Sequence, residues 1–151
     1  MLMNIAWQRL LPKTIDNRTN GRKLPVIFFA LYTLLSAVRS CIHLLAPDGG
    51  AGSIAGMDLS VEGAQGIVFA FALWGSAQLL LAIIQPVAVW RYRSLIPFLY
   101  VLLLVETGLR MLVGQMRPVS FAHTPPGAIG NLILPPLVLV MLVLSLLPEK
   151  E

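Results

Sequence analysis

Four long apolar segments follow one another along this chain, separated by short stretches that contain most of its polar residues. They cover residues 24–45, 65–85, 95–113 and about 130–147, with a start at Pro126 as an alternative for the fourth. Each approaches the ~20 residues that an α-helix needs to cross ~30 Å of hydrocarbon. The pattern predicts an all-α protein in which residues 24–148 form a single domain, a transmembrane four-helix bundle.

Composition supports a membrane protein and argues against a soluble domain. Of the 151 residues, 57% are hydrophobic and only 12% are charged, against roughly 25% charged in soluble domains. So few charges cannot cover a water-exposed surface of this size. The high apolar content equally excludes an intrinsically disordered chain.

The charges between the apolar segments indicate how the helices are oriented. The connection over residues 46–64 contains three acidic residues and no Lys or Arg, whereas residues 86–94 contain Arg91 and Arg93. Five of the eleven basic residues precede the first segment: Arg9, Lys13, Arg18, Arg22 and Lys23. The positive-inside rule therefore predicts an inner-membrane protein with both termini and the second connection in the cytoplasm.

The two ends of the chain are predicted to lie on the cytoplasmic side of the bilayer. Residues 1–23 form a basic N-terminal segment, in which Leu2 to Leu11 can form a short interfacial helix with Trp7 at headgroup depth. Residues 149–151 form a short tail. The basic residues lie next to apolar segments, and no basic–aromatic module or Cys/His framework accompanies them, so no nucleic-acid partner is expected.

Charged side chains also occur inside the apolar segments, in one layer of the outer half of the membrane. Arg39 and His43 are four residues apart in the first segment, and Glu106 and Arg110 are four apart in the third, so each pair shares a helical face. Charges at this depth are costly and normally pair within the protein. We predict that Glu106 pairs with Arg39 across the helices, with Arg110 pairing locally or reaching outward.

Two interpretations of this charged layer stay open at the level of sequence. The ion pair can serve only to fix the register of the helices. Alternatively, two arginines and a histidine against one carboxylate leave an excess of positive charge, which would suit a carboxylate, a phosphate or an anionic headgroup in a pocket that opens outward. Asp58 or Glu62 from the first connection could instead cancel that charge.

Further polar features lie near this layer. Pro135 and Pro136 cannot donate hydrogen bonds to the carbonyls of Asn131 and Leu132 if the fourth helix begins upstream, whereas they matter less if Asn131 is its N-cap. The glycine-rich first connection is either a lid over the charged layer or a plain connector.

Gln78 in the second segment is predicted to lie deep in the inner half of the membrane, away from the charged layer. The candidate ligand-binding residues are Arg39, His43, Glu106, Arg110 and Asn131.

The sequence offers little for a metal or a covalent cofactor. It contains two histidines and one cysteine, and a metal site is not expected. A haem held by His43 and His123 is conceivable, but the Cys-x-x-Cys-His attachment sequence is missing. The cofactor is therefore left unassigned.

The architecture is similar to that of a known family. With about 150 residues, four apolar segments, a Gly-rich first outer connection, and Glu106-x-x-x-Arg110 before Gly114 and Pro118, the chain resembles DoxX-like small bacterial membrane proteins. Some members of that group are associated with quinone-linked sulfur oxidation, and others are uncharacterised accessory proteins. The resemblance implies a quinone or redox-accessory role and carries over no catalytic residue.

These observations lead to one preferred function and two alternatives. The preferred function is a binding or accessory protein for a lipid or a quinone-like ligand, acting as a homo-oligomer or within a larger membrane complex. The first alternative is a membrane subunit of a quinone-linked oxidoreductase or a lipid-modifying enzyme, with Glu106 or His43 as proton carrier. The second is a purely structural subunit in which the charged layer holds helices together.

Overall fold

A computed structural model describes residues 2–19 and 21–148 of the chain. The predicted tail at residues 149–151 lies outside the described residues. The fold is helical, with no strand in either of these ranges. Its elements are α1 (Leu2–Leu10), α2 (Lys23–Leu45), α3 (Ala64–Arg91), a 3₁₀ turn (Arg93–Leu95), α4 (Ile96–Met116) and α5 (Pro126–Leu146).

The four long helices α2 to α5 correspond to the four predicted apolar segments. Each is long and apolar enough to cross a membrane, which makes this a multi-pass membrane protein. Proline lies in the first turn of α2, α4 and α5, at Pro25, Pro97 and Pro126. A first-turn residue has no partner for its N–H within the helix, so proline is tolerated there.

The helix ends differ from the predicted ones in two places. Helix α3 continues through Pro86 to Arg91 instead of ending at residue 85, because a proline within a transmembrane helix loses only one backbone hydrogen bond that neighbouring groups can replace. Helix α5 begins at Pro126 and contains Pro135 and Pro136 in its interior. The alternative in which Asn131 is the N-cap of this helix is therefore wrong.

Contacts between distant parts of the chain define the two ends of the molecule. At the basic end, Arg9 donates to the carbonyl of Leu146 (2.8 Å) and the Ser94 hydroxyl donates to the carbonyl of Asp16 (2.9 Å). At the opposite end, which we call the loop end, the Ala122 N–H donates to the carbonyl of Gly56 (2.8 Å). The first loop (residues 46–63) and the third loop (residues 117–125) thus meet.

Packing is tight toward the basic end and open toward the loop end. The buried core lies in the basic half, where the hydroxyl of Tyr100 in α4 donates to the carbonyl of Pro25 (2.6 Å) and its ring meets Phe29 edge-on at 5.2 Å. Helix α3 packs mainly on α2, and α4 packs mainly on α5. The last turns of α4 from Met111 onward are exposed, so space remains between the helices at the loop end.

The close contact between α2 and α3 depends on Gly75. A Cβ at this position would lie 2.7 Å from His43 Cβ and 2.7 Å from the backbone nitrogen of Leu44. Such distances require one helix to shift. Only a residue without a side chain allows the two backbones to approach this closely.

We expect Gly75→Ala to lower the thermal unfolding midpoint of the purified protein in detergent, because overpacking of this kind costs about 1–3 kcal/mol. Gly66→Ala is the matched control in the same helix, since no atom lies within 4 Å of its added Cβ. That control should leave the midpoint unchanged or raise it, because alanine is the better helix former. Equal midpoints for the two variants would contradict the proposed role of the close contact.

Candidate functional site

Arg39 lies on α2 where three cavities meet. The largest has a volume of about 520 Å³ and lies toward the loop end. The second has about 350 Å³ and follows the groove between α2 and α5. The third has about 90 Å³ and lies among α2, α3 and α4. Arg39 lines all three. The first two also share Leu35, Arg110, Pro126 and Gly127, so they are neighbouring parts of one open region.

The guanidinium group of Arg39 contacts α3 through an aromatic ring and an amide. Its Cζ lies 5.6 Å from the centre of the Trp74 ring, within the range of a cation–π interaction. With the amide of Gln78 oriented so that its oxygen faces the donors, that oxygen accepts from Trp74 Nε1 (2.8 Å) and Arg39 Nη2 (3.3 Å). The prediction that Gln78 lies away from the charged layer is therefore wrong. It fails because α3 extends to Arg91, which places Gln78 in the middle of the helix.

Glu106 pairs within its own helix. Its Oε2 lies 3.0 Å from Arg110 Nη2, and the same nitrogen donates to Thr107 Oγ1 at 3.1 Å. The prediction that Glu106 pairs with Arg39 is wrong, and no carboxylate of the described residues lies within 4 Å of Arg39. Residues four apart on a helix are already neighbours, whereas α2 and α4 have few direct contacts.

His43 is buried beside the first loop with one ring nitrogen directed at the backbone. Its Nδ1 lies 2.8 Å from the carbonyl oxygen of Gly49. Because a carbonyl only accepts, Nδ1 carries the hydrogen, and Nε2 of the neutral ring has a free lone pair. The ring lies against Trp74 at 4.9 Å and Phe71 at 5.6 Å. It also lines the largest cavity, where Nε2 has no hydrogen-bond partner among the described residues.

Asn131 lines the same cavity from α5. It lies one turn before Pro135, which has no N–H to donate to its carbonyl. Pro136 likewise has no N–H to donate to the carbonyl of Leu132. The side-chain amide of Asn131 forms no hydrogen bond with the described residues. Asn131 therefore brings unused polar groups to the wall of the cavity.

The structure brings four of the five candidate residues to one cavity. Arg39, His43, Arg110 and Asn131 line the cavity of about 520 Å³, and Glu106 lines the smallest of the three cavities instead. Among the described residues that line the largest cavity, none is acidic. Nε of Arg110 is buried without a hydrogen-bond partner in this part of the chain. The cavity thus has a positively charged side and otherwise mainly apolar walls.

Acidic residues of the first loop are occupied elsewhere and do not line this cavity. Asp48 accepts from the backbone N–H groups of Gly50 (2.8 Å) and Ser53 (2.6 Å). Asp58 accepts from the backbone and hydroxyl of Ser60, and Glu62 is exposed. The possibility that Asp58 or Glu62 cancels the charge of the arginines therefore has no support in the geometry.

The first and third loops cover the largest cavity at the loop end. Gly50, Ile54 and Ala55 of the first loop line it, as do Phe121 and Pro125 of the third loop. Gly56 has a positive φ of 71°, and the ring of His123 lies so close to it that a Cβ would be only 2.9 Å away. Of the two interpretations of the first loop, this arrangement favours the lid.

The residues that the sequence analysis did not associate with the site are aromatic or amide side chains of α3. Phe71 and Trp74 form the wall beside His43, and Gln78 bridges Trp74 and Arg39. Their spacing of three and four residues puts them on one face of the helix. That spacing was available in the sequence, but the predicted segment of residues 65–85 contains no charged residue that would mark this face as polar.

Metal-binding side chains are not clustered in the described part of the chain. Residues 2–19 and 21–148 contain no group of three or more His, Cys, Asp and Glu side chains that could hold a metal ion.

Comparison of the chain with protein-family models, with curated proteins and with solved structures finds no match. The similarity to DoxX-like proteins thus stays an expectation from architecture.

The pKa of Asp48 is lowered from 3.8 to about 2, mainly by the hydrogen bonds from the backbone of Ser53 and Gly50. A carboxyl group with a lower pKa in the folded state stabilises the fold above its unfolded pKa, and this contribution is lost as the pH falls through the folded pKa. We therefore expect Asp48→Asn to lose protection of the first-loop amides at neutral pH, with the difference from wild type shrinking between about pH 4 and pH 2.

Amide hydrogen–deuterium exchange over residues 49–57 measures this difference. Asp58→Asn is the control, since Asp58 is bonded to Ser60 outside that range, and it should leave exchange of residues 49–57 unchanged. A difference between Asp48→Asn and wild type that persists unchanged at pH 2 would contradict the assignment.

Proposed function

We propose that this protein binds an anionic amphiphile, with the headgroup at Arg39 and Arg110 and the apolar tail between α2 and α5. The observation that carries the proposal is a cavity of about 520 Å³ that has two guanidinium groups in its wall and no acidic side chain among its described lining residues. Charged groups in a membrane protein need a partner of opposite charge or strong hydrogen bonds. An anionic headgroup would supply both.

The donors available in the cavity favour a carboxylate or a phosphate. Arg39 uses one nitrogen for Gln78, and Arg110 uses Nη2 for Glu106 and Thr107. Each guanidinium has five N–H donors, so the other donors of Arg39 and the Nη1 donors of Arg110 are available to oxygen atoms of a ligand, whereas Nε of Arg110 is buried. Asn131 adds an amide donor, and the tautomer of His43 with hydrogen on Nδ1 offers Nε2 as an acceptor for a ligand hydroxyl.

The apolar surroundings favour an amphiphile over a small soluble anion. The neighbouring cavity of about 350 Å³ leads from Arg39 and Arg110 along α5 past Ile133, Leu134 and Leu137. Apolar pocket walls bind hydrocarbon, and a few placed polar groups fix its orientation. A fatty-acid-like or lipid-like molecule matches both the charged wall at the arginines and the apolar groove along α5. A quinone-like molecule with an anionic or polar head is an amphiphile of the same kind.

The proposed site faces the outside of the cell membrane. Arg9, Arg22, Arg91 and Arg93 all lie at the basic end, and the first loop carries only acidic charges. The positive-inside rule assigns such a basic end to the cytoplasm. The loops that cover the cavity then lie on the outer side of a bacterial inner membrane, and the protein acts as a binding or accessory protein there.

We expect Arg39→Gln to weaken binding of radiolabelled palmitate about 10- to 100-fold, since hydrogen bonds to charged groups contribute about 1.5–3 kcal/mol. Hexadecanol, which has the same tail without the charge, should bind poorly to both proteins. Arg39→Lys should retain part of the affinity, because it keeps the charge but not the planar fork. Binding is measured by equilibrium dialysis in detergent micelles.

Arg117→Gln is the matched control, since Arg117 is an exposed arginine at the same end of the molecule. It should bind palmitate like the wild type. Equal affinity of wild type and Arg39→Gln for palmitate would refute the proposed headgroup site. Equal affinity of the wild type for palmitate and hexadecanol would refute the role of the anionic head.

The orientation has its own test in a Cys41→Ser background. Ser53 and Thr14 are both exposed and lie at opposite ends of the molecule. We expect a membrane-impermeant maleimide to label Ser53→Cys in intact spheroplasts and Thr14→Cys only after permeabilisation. Labelling in the reverse pattern would place the cavity on the cytoplasmic side.

A further inference from the structure

A second cluster of arginines lies at the basic end, far from the cavity of the proposed function. Arg9 of α1, Arg22 before α2 and Arg93 in the 3₁₀ turn line one shallow recess together with Ser94 and Ser145. Three separate parts of the chain therefore bring guanidinium groups to one place. The described residues that line the recess include no acidic side chain.

Two of these arginines are held in position by backbone carbonyls at helix ends. Arg9 Nη1 donates to the carbonyl of Leu146 at the end of α5 (2.8 Å), and Arg93 Nε donates to the carbonyl of Val89 near the end of α3 (2.9 Å). Each bond uses one of the five N–H donors of a guanidinium. These bonds keep the side chains of Arg9 and Arg93 at the recess, and the other N–H donors of both guanidinium groups remain available to a ligand.

Arg22 is different because nothing in the described chain engages it. It forms no hydrogen bond and no ion pair with these residues. It occupies the N-cap position of α2, where no side chain accepts from the first N–H groups of the helix. The partial positive charge of a helix N-terminus adds to that of the arginine. Asp16, the acidic residue of the N-terminal segment, is already paired with Arg18.

We propose that this recess binds the phosphate group of a phospholipid in the adjacent leaflet. Arginine donors in a fixed arrangement match the geometry of phosphate oxygens. The enclosed volume of about 20 Å³ accommodates about one water molecule. The phosphate therefore lies at the mouth of the recess, between Arg22 and the anchored arginines, with its acyl chains in the bilayer.

The surroundings of the recess favour a lipid phosphate over a soluble one. Trp7 on α1 is 64% exposed and Trp90 near the end of α3 is 75% exposed. Tryptophan at the end of membrane-spanning helices is typical of headgroup depth. Basic pockets between transmembrane helices on the cytoplasmic side are known to take anionic headgroups. This inference uses no residue of the outer cavity and stands independently of the proposed function.

The test compares Arg22→Gln with Arg91→Gln after delipidation of the full-length protein in detergent. Arg91 is an exposed arginine at the same end that does not line the recess, so both variants lose one charge. Native mass spectrometry is used to titrate each protein with phosphatidylglycerol and, separately, with diacylglycerol, which lacks the phosphate. Unfolding midpoints of both variants should match the wild type, since neither arginine bonds to the described chain.

We expect Arg22→Gln to bind phosphatidylglycerol about tenfold more weakly and Arg91→Gln less than twofold more weakly. Diacylglycerol should bind none of the three proteins specifically. Equal loss in both variants would overturn the site, because general charge would then explain binding. Should Arg22→Gln be unstable, Arg22→Lys replaces it, and undiminished binding in both Arg22→Lys and Arg93→Gln would likewise overturn the site.

Inorganic phosphate distinguishes the two sources of the phosphate group. Millimolar phosphate should not displace phosphatidylglycerol from the wild type if the lipid is the natural ligand. Displacement that depends on Arg22 would retain the phosphate site but overturn the assignment to a lipid.

Discussion

A guanidinium group in the middle of a membrane helix must find its partners inside the protein, and the half of this molecule toward the loop end is arranged around that requirement. Arg39 has no carboxylate within reach in the described chain and instead meets the ring of Trp74 and the amide of Gln78. Both partners belong to α3, which comes close enough because Gly75 lets the two backbones touch. The contacts with Trp74 and Gln78 stabilise the charge of Arg39 without neutralising it. The guanidinium group also lies at the wall of the cavities.

The same helix pairing explains why open space lies at one end only. In the basic half, Tyr100 and Phe29 join α4 to α2, and this half contains the buried core. Over their whole lengths, α3 packs mainly on α2 and α4 packs mainly on α5. The cleft, formed by the cavities of about 520 and 350 Å³, lies where these two pairs face each other, and the first and third loops close over the larger cavity. The cavities are therefore a consequence of which helices pair.

Hydropathy predicted the existence of all four long helices, because length and apolar content determine which segments suit a bilayer. Helical rise, which converts sequence position into depth, predicted that Arg39, His43, Glu106 and Arg110 lie in one layer, and three of them, Arg39, His43 and Arg110, line one cavity. Partner choice was not predictable in this way. Glu106 pairs with Arg110 rather than with Arg39. The choice depends on the distance between α2 and α4, which is determined by helix packing and cannot be read from the periodicity of the sequence. Gln78 was misplaced because Pro86 was taken as a helix end.

The distribution of counter-charges connects the two ends of the molecule. Asp16 and Glu106 pair with arginines of their own segments, whereas Asp48 and Asp58 are bonded to backbone and serine groups in the first loop. Arg22 lines the recess at the basic end and Arg39 lines the largest cavity, and neither described lining contains an acidic group. Glu106 lines the smallest cavity beside Arg39 and is paired with Arg110. The chain has a formal net charge of +4, and the surfaces of a bilayer offer anionic headgroups. We therefore propose that the membrane itself supplies the counter-charges that the described residues lack.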